Sequence, residues 1–235
     1  MNRMKFSYLK LMAVAAVLAV ALIPSLGTST ATSQPPLAAL DVDISNEYRI
    51  IARYADDLVT YDKQAAELGK RARLVNSDFD PLQRKSDDLK GRLSEVQNAA
   101  GETVRKLKAA NEWDDHLDTP PARITDPGLR ALFQETSFKQ LLVESSNGLT
   151  SHANEISTPV DNLRKRLTSQ YGAGSDFRII RATYEAPEPG KFVSLRCSIN
   201  TLKVHIAIKL PSVNPSSQLA QETWAACHPG QPYPF

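Results

Sequence analysis

Apolar residues spaced alternately four and three positions apart dominate the sequence between Ile44 and Leu107. This spacing is the a/d heptad pattern of coiled coils, in which the apolar positions form a seam along one side of an α-helix. The pattern predicts long helices that bury these seams against other helices. The seam positions are Ile44, Tyr48, Ile51, Ala55, Leu58, Ala65, Leu68, Ala72 and Val75, and after a break Leu82, Leu89, Leu93, Val96, Ala100, Val104 and Leu107.

The break in the heptad pattern carries the signals of a new helix. Asp80 precedes Pro81 and stands three residues before Gln83, which matches a capping box with proline at the first helical position. Each of the two stretches is about 30 residues long, or about 45 Å at the rise of an α-helix. An antiparallel hairpin, which would bury both seams, is favoured. A kinked continuous helix that needs a further helix or a partner chain is the alternative.

A third periodic stretch follows a connector that contains the paired prolines Pro120 and Pro121. Asp126 and Pro127 repeat the cap-and-proline start of a helix. Since the periodicity continues to about residue 171, we expect residues 44–171 to form one helical region. A helical hairpin and a three-helix bundle are both compatible with this pattern.

Beyond residue 171 the apolar pattern changes from helical to alternating, which is typical of β-strands. The predicted strands are residues 177–185, 191–199 and 202–210. We expect them to form an antiparallel sheet, with a hairpin turn at residues 200–201 and a C-terminal helix that covers the sheet. The predicted fold class is therefore mainly α, with a small α+β head in residues 172–235.

The first 31 residues have the pattern of a signal peptide. Three basic residues and no acid precede an uncharged apolar stretch at residues 11–26, and Ser29 and Ala31 fit a small-residue cleavage site. Cleavage after Ala31 is expected. An uncleaved anchor in the inner membrane is the alternative, because the apolar stretch is only slightly shorter than a spanning helix. Residues 32–43 are expected to be a flexible spacer, and the chain is predicted to be periplasmic or secreted.

Cys197 and Cys227 are the only cysteines. An even number of cysteines in an exported chain predicts one disulfide bond, which here would close the small head. Three of the 28 Lys and Arg residues lie in the predicted signal peptide, which leaves 25 against 26 Asp and Glu. A mature chain this close to neutral gives no electrostatic basis for binding nucleic acid.

Two groups of polar residues are candidate sites. The first would form a basic strip on the outward face of the predicted β-hairpin and meet an anionic partner: Arg196, Lys203, His205 and Lys209. The second offers oxygen and imidazole ligands in the connector: Asp114, Asp115, His116 and Asp118. Because this second group lacks the spacing of a recognised metal loop, we expect a solvated turn there, with no metal and no cofactor.

These patterns favour an exported periplasmic or envelope-associated interaction or scaffold protein, with a helical stalk and a small binding head. The expected partner is an envelope protein, or a second copy of the chain that associates through the heptad seams. Membrane contact is expected only through an uncleaved N-terminal segment. Two alternatives stay open, a secreted effector or helical toxin and an enzyme with a site between the helical region and the head. No nucleotide-binding motif points to catalysis.

Overall fold

The protein is α-helical in the residues that the computed structural model describes, which are 40–71, 74–171 and 195–235. The helices are α1 (Ser45–Lys70), α2 (Asp80–Ala109), α3 (Pro127–Glu135), α4 (Phe138–Gly148), α5 (Ala153–Tyr171), α6 (Leu195–Lys209) and α7 (Ser217–Cys227). Short 3₁₀ helices are Asn76–Phe79, Asp115–Asp118 and Leu149–His152. None of the helices in these ranges is both long enough and apolar enough to cross a bilayer. The predicted signal peptide, most of the spacer and the first predicted strand lie outside the described residues.

The helices α1 and α2 form an antiparallel hairpin. Glu47, near the start of α1, pairs with Lys106, near the end of α2, at 2.8 Å. Asp57, further along α1, pairs with Lys85 and Arg92 at 2.8 and 2.9 Å. Most seam positions of both helices are buried, because α1 and α2 pack on each other and α4, α5 and α6 pack against the hairpin.

Proline marks the start of two helices, as the sequence indicates. Helix α2 begins at Asp80 with proline in its first turn, and α3 begins at Pro127. Asp126 caps α3 by accepting a hydrogen bond from the Leu129 backbone N–H at 2.8 Å. The predicted capping box of Asp80 and Gln83 is wrong, because Asp80 is the first residue of α2 and no side chain caps this helix. Of these two helices, only α3 has a side chain that satisfies a backbone donor left free at the helix start.

Helix α6 lies in the protein interior, and the prediction of a three-stranded sheet is wrong. Apart from Leu210, the described residues of the second and third predicted strands belong to this helix, and residues 200–201 lie within it instead of at a hairpin turn. No strand occurs in residues 40–71, 74–171 and 195–235. Twelve of the fifteen residues of α6 are buried, because α1, α3, α4 and α7 pack around it. A helix buried on all sides lacks the one-sided period of a surface helix.

Helix α7 packs on α6 and is joined to it by the two cysteines. The Sγ atoms of Cys197 and Cys227 lie 1.98 Å apart, at the bonding distance of the predicted disulfide. Ser216 caps α7 by accepting from the Leu219 N–H at 3.4 Å. The expected C-terminal helix is therefore present, but it covers another helix instead of a sheet.

Candidate functional site

The densest group of chemistry-bearing side chains surrounds the second half of α6. His205 and Lys209 lie one helical turn apart, so their side chains share one face of α6. They are 0% and 4% exposed. Phe133 of α3 contacts both: its ring centroid lies 4.5 Å from that of His205 and 5.4 Å from the Lys209 Nζ. We call these three residues, together with the connector of residues 113–126, the connector site.

Lys209 binds the connector through its ammonium group. Its Nζ donates hydrogen bonds to the backbone oxygens of His116 and Thr119, both at 2.7 Å. Burial lowers the pKa of Lys209 from 10.5 to about 8, against the opposing effect of the Asp118 and Asp114 carboxylates. The side chain is therefore largely protonated at neutral pH, and its charge strengthens both hydrogen bonds.

Arg123 makes the reciprocal contact, from the connector to the end of α6. Its guanidinium donates hydrogen bonds to the backbone oxygens of Ile208 and Leu210, both at 2.7 Å, and of Val213 at 3.2 Å. Ile208 is the last residue but one of α6, and the last carbonyl groups of a helix have no partner inside the helix, so Arg123 satisfies a group that α6 leaves free. Leu210 and Val213 belong to the segment that follows α6. We call Lys209 and Arg123 the reciprocal clamp, because each side chain binds the backbone of the other's segment.

Lys209 is expected to make the free energy of unfolding depend on pH. A lysine in the unfolded chain titrates near 10.5, whereas the pKa of Lys209 in the folded protein is about 8. Between pH 8 and pH 10.5 this lysine binds more protons in the unfolded chain than in the folded protein. The contribution of Lys209 to the free energy of unfolding therefore rises with pH, by on the order of 3 kcal/mol in total. Urea unfolding between pH 8 and 10.5 measures this gain as the difference between the wild type and the Lys209→Met variant, because burial raises the pKa of Tyr54 and Tyr48 and thereby lowers the stability of both proteins as pH rises.

The matched control for this measurement is Lys165→Met, which removes an exposed lysine of α5. This control variant should keep the pH dependence of the wild type. If the wild type and Lys209→Met showed the same slope of unfolding free energy against pH, the lowered pKa of Lys209 would be contradicted.

His205 is held in the interior by backbone acceptors. Its Nδ1 lies 2.7 Å from the Thr201 oxygen, and its Nε2 lies 3.0 Å from the Thr136 oxygen. Burial lowers the pKa of His205 from its ordinary value of 6.5, although the neighbouring backbone carbonyl groups act in the opposite direction. The ring is therefore neutral at pH 7 and carries a single N–H, so it donates to only one of these two oxygens; with the proton on Nε2 it donates to the Thr136 oxygen. Its role in this arrangement is to tie α6 to the turn between α3 and α4.

The four residues of the predicted basic strip do not share an exposed face. On a helix, Arg196 and Lys203 fall on the side opposite to the other two, which are buried in the connector site. Arg196 pairs with Asp62 of α1, and Lys203 pairs with Asp56 of α1 at 2.6 Å. These two cations therefore fasten α6 to α1, and the outward strip expected from a strand pattern is not formed.

The acidic residues of the connector make separate local contacts. Asp114 accepts a hydrogen bond from the His116 backbone N–H at 2.8 Å, and Asp118 accepts one from the Lys139 N–H, in the first turn of α4, at 3.1 Å. Asp115 pairs with the Lys139 Nζ at 3.2 Å, and the side chain of His116 is exposed. Within the described ranges, no group of three or more His, Cys, Asp and Glu residues is arranged to hold a metal ion.

The connector site is arranged to hold two segments together. The amine of Lys209 has the lowered pKa that a nucleophile needs, but it is buried and already bonded to two carbonyl oxygens. Sequence analysis identified neither Phe133 nor Arg123, because no local pattern marks a contact across 85 residues.

No protein-family model, curated protein or solved structure matches this chain, so we infer its function from the geometry.

Proposed function

We propose that this chain is an exported scaffold or interaction protein of the cell envelope, in which the helices support a surface for a protein partner. The observation that carries the proposal is the connector site. Its polar side chains, Lys209, Arg123 and His205, bind the backbone of the protein itself. Groups engaged in this way fix the position of a surface segment. The signal-peptide pattern and the cysteine pair support export.

The burial of the heptad seams favours partner binding on other surfaces. Ile51 and Leu58 of α1, and Leu89 and Leu93 of α2, are at most 5% exposed. Self-association through these seams, one of the predicted modes, would require the hairpin to open. We therefore expect the protein partner on the exposed faces of the helices.

Amine-reactive cross-linking in intact producing cells, followed by mass spectrometry, tests this proposal. The exposed lysines Lys63, Lys108 and Lys165 are the expected attachment points, and the N-terminal peptide shows whether the mature chain begins after Ala31. Buried Lys209 is the internal control, because it should remain unmodified in the folded protein. Reproducible cross-links from an exposed lysine to one envelope protein would support the scaffold function. Cross-links confined to the chain itself would contradict it.

A further inference from the structure

The segment that follows α7 folds back onto the start of α3. Tyr233 of this segment lies against Gly128, in the first turn of α3, where a Cβ atom would overlap the hydroxyl oxygen of the tyrosine. Only glycine leaves room for the ring at this position. The ring also meets the Trp224 indole of α7 edge to face, with 6.4 Å between the two centroids. Gly128 and Trp224 thus form two sides of a recess that receives a tyrosine, and we call these two residues the tyrosine notch.

The tyrosine notch also binds the backbone of the segment. The indole N–H of Trp224 donates a hydrogen bond to the carbonyl oxygen of Pro232 at 3.1 Å. Pro232 and Pro234 stand on either side of Tyr233. Proline fixes its own φ angle and favours an extended backbone in the residue before it, so a segment of this kind loses little conformational entropy when it binds. Aromatic side chains that meet an extended proline-rich segment are a recurring arrangement in peptide recognition.

The walls of the notch are held by contacts outside the segment. Helices α3 and α7 pack on each other, and both pack on α6. The cysteine pair of Cys197 and Cys227 joins α7 to α6, and Asp126 caps α3. Directly after α7, the Nε2 of His228 lies 3.6 Å from the Oε1 of Glu135 at the end of α3. The notch should therefore keep its shape when the segment leaves it.

Residues 229–235 themselves are held by few contacts. Across the parts of the chain that the structure describes, the bond from Trp224 is the only hydrogen bond that joins them to a helix. Pro232 and Pro234 are exposed and lack a backbone N–H, and Phe235 is 55% exposed. Segments with few hydrogen bonds and little buried apolar surface open at a small cost in free energy. The segment can therefore leave the notch while the helices stay folded.

We propose that the tyrosine notch binds an extended segment of a partner protein in which a tyrosine stands between two prolines. Residues 229–235 of the chain itself occupy the notch in the absence of the partner and compete with it. The inference rests on the proposed function, because it names the surface that receives the protein partner.

The chain's own segment defines the chemistry of the partner. It places a tyrosine ring against the backbone of Gly128 and a proline carbonyl on the indole N–H of Trp224. A partner that reproduces both contacts needs a tyrosine directly after a proline, as at Pro232 and Tyr233. The second proline, Pro234, keeps the tyrosine itself extended.

Fluorescence anisotropy with a labelled peptide tests this inference on the full chain. The probe is the synthetic peptide PGQPYPF, which has the sequence of residues 229–235 and carries a fluorophore at its N-terminus. Tyr233→Ala empties the notch, so this variant should bind the peptide. The wild type should bind it about tenfold more weakly, because its own segment competes at an effective concentration on the order of 1 mM. The same peptide with alanine in place of tyrosine should not bind.

Two glycine substitutions, each combined with Tyr233→Ala, form a matched pair of variants. Gly128→Ala places a Cβ atom where the ring of the peptide would lie, and it should abolish binding. Gly91→Ala adds the same atom at an exposed position of α2, and this variant should bind the peptide as Tyr233→Ala alone does. Both substitutions replace a helical glycine with alanine, which raises helix propensity, so unfolding would not account for a difference between them.

Binding to Tyr233→Ala that Gly128→Ala removes and Gly91→Ala leaves intact would support the inference. Failure of the peptide to bind Tyr233→Ala, equal binding by the wild type, or equal binding by the two glycine variants would overturn it. Sedimentation of the wild type adds a further test, since a dimer that Tyr233→Ala abolishes would assign the notch to a second copy of the chain and overturn the partner. Cellular cross-links to an envelope protein without peptide binding would reject only the notch and leave the scaffold function standing.

Discussion

Replacing Cys197 and Cys227 together with alanine is expected to lower the free energy of unfolding by about 3–4 kcal/mol. The two cysteines are 30 residues apart in sequence. In the chain-entropy account, a cross-link closing a loop of this length restricts the unfolded chain by about that amount. Urea unfolding of wild type and double variant, followed by circular dichroism, measures the difference.

Reduction provides the control for the cysteine variant. Wild-type protein in dithiothreitol should unfold at the same urea concentration as the double variant, whereas the double variant should not respond to the reductant. Thiol titration of unfolded, unreduced wild type from its native compartment should find no free thiol. Two free thiols, or a wild-type transition that reduction leaves in place, would contradict a disulfide between these residues.

Replacing Phe133 with alanine is expected to lower the free energy of unfolding by about 3–5 kcal/mol, the usual range for a buried phenylalanine. The side chain is 1% exposed, and its ring stacks on His205 and lies next to the Lys209 ammonium. Alanine would leave a cavity between α3 and α6 and remove the aromatic face beside a buried charge. Chemical unfolding at pH 7 measures the loss.

Two further variants separate packing from local helix effects at this position. Phe133→Leu keeps much of the side-chain volume and should lose considerably less stability than the alanine variant. Gln134→Ala changes the next residue of α3, which is exposed, and should stay within about 0.5 kcal/mol of the wild type. If Phe133→Ala were as stable as Gln134→Ala, the packing described for the connector site would be wrong.

The long helices were predictable because their signals are local and one-sided. Between residues 44 and 107 the apolar residues repeat on one face, and charged residues fill the other faces. Such a pattern has one interpretation, an amphipathic helix with a buried seam. The start of α3 was equally predictable from the sequence, since Asp126 and Leu129 are three residues apart and the cap involves no distant group.

Helix α6 was predicted wrongly because polar residues that are buried produced the alternation. Val204, Ile206 and Ile208 are fully buried. In sequence they alternate with a second set that includes His205 and Lys209, which fits the solvent-facing side of a strand. In the structure these two residues are buried as well, and they bond to backbone oxygens outside α6 that are 69 to 93 residues away in sequence. Only the tertiary partners make their burial favourable, and the partners have no local signature.

The charged residues of α1 illustrate a second limit on prediction from sequence. The one-turn spacing of Arg49 and Arg53 is visible in the sequence, but so are Asp56 and Asp57, which would appear to neutralise them. Asp56 is instead paired with Lys203, which is 147 residues away in the chain. The local charge balance of a helix face therefore depends on ion pairs that only the fold determines.

The reciprocal clamp joins two segments that are made at different times during synthesis. The chain emerges N-terminus first, and domains generally fold as units in that order. The contacts between α1 and α2 can form once α2 is complete. One of them is the ion pair of Glu47 and Lys106, which are 59 residues apart in sequence. The reciprocal clamp cannot form before α6 is made, because Lys209 and the carbonyl groups bound by Arg123 lie 85 to 93 residues downstream of their partners in the connector. Part of the chain that is made early is thus completed late, and the timing of the final folding step depends on the arrival of the C-terminal helices.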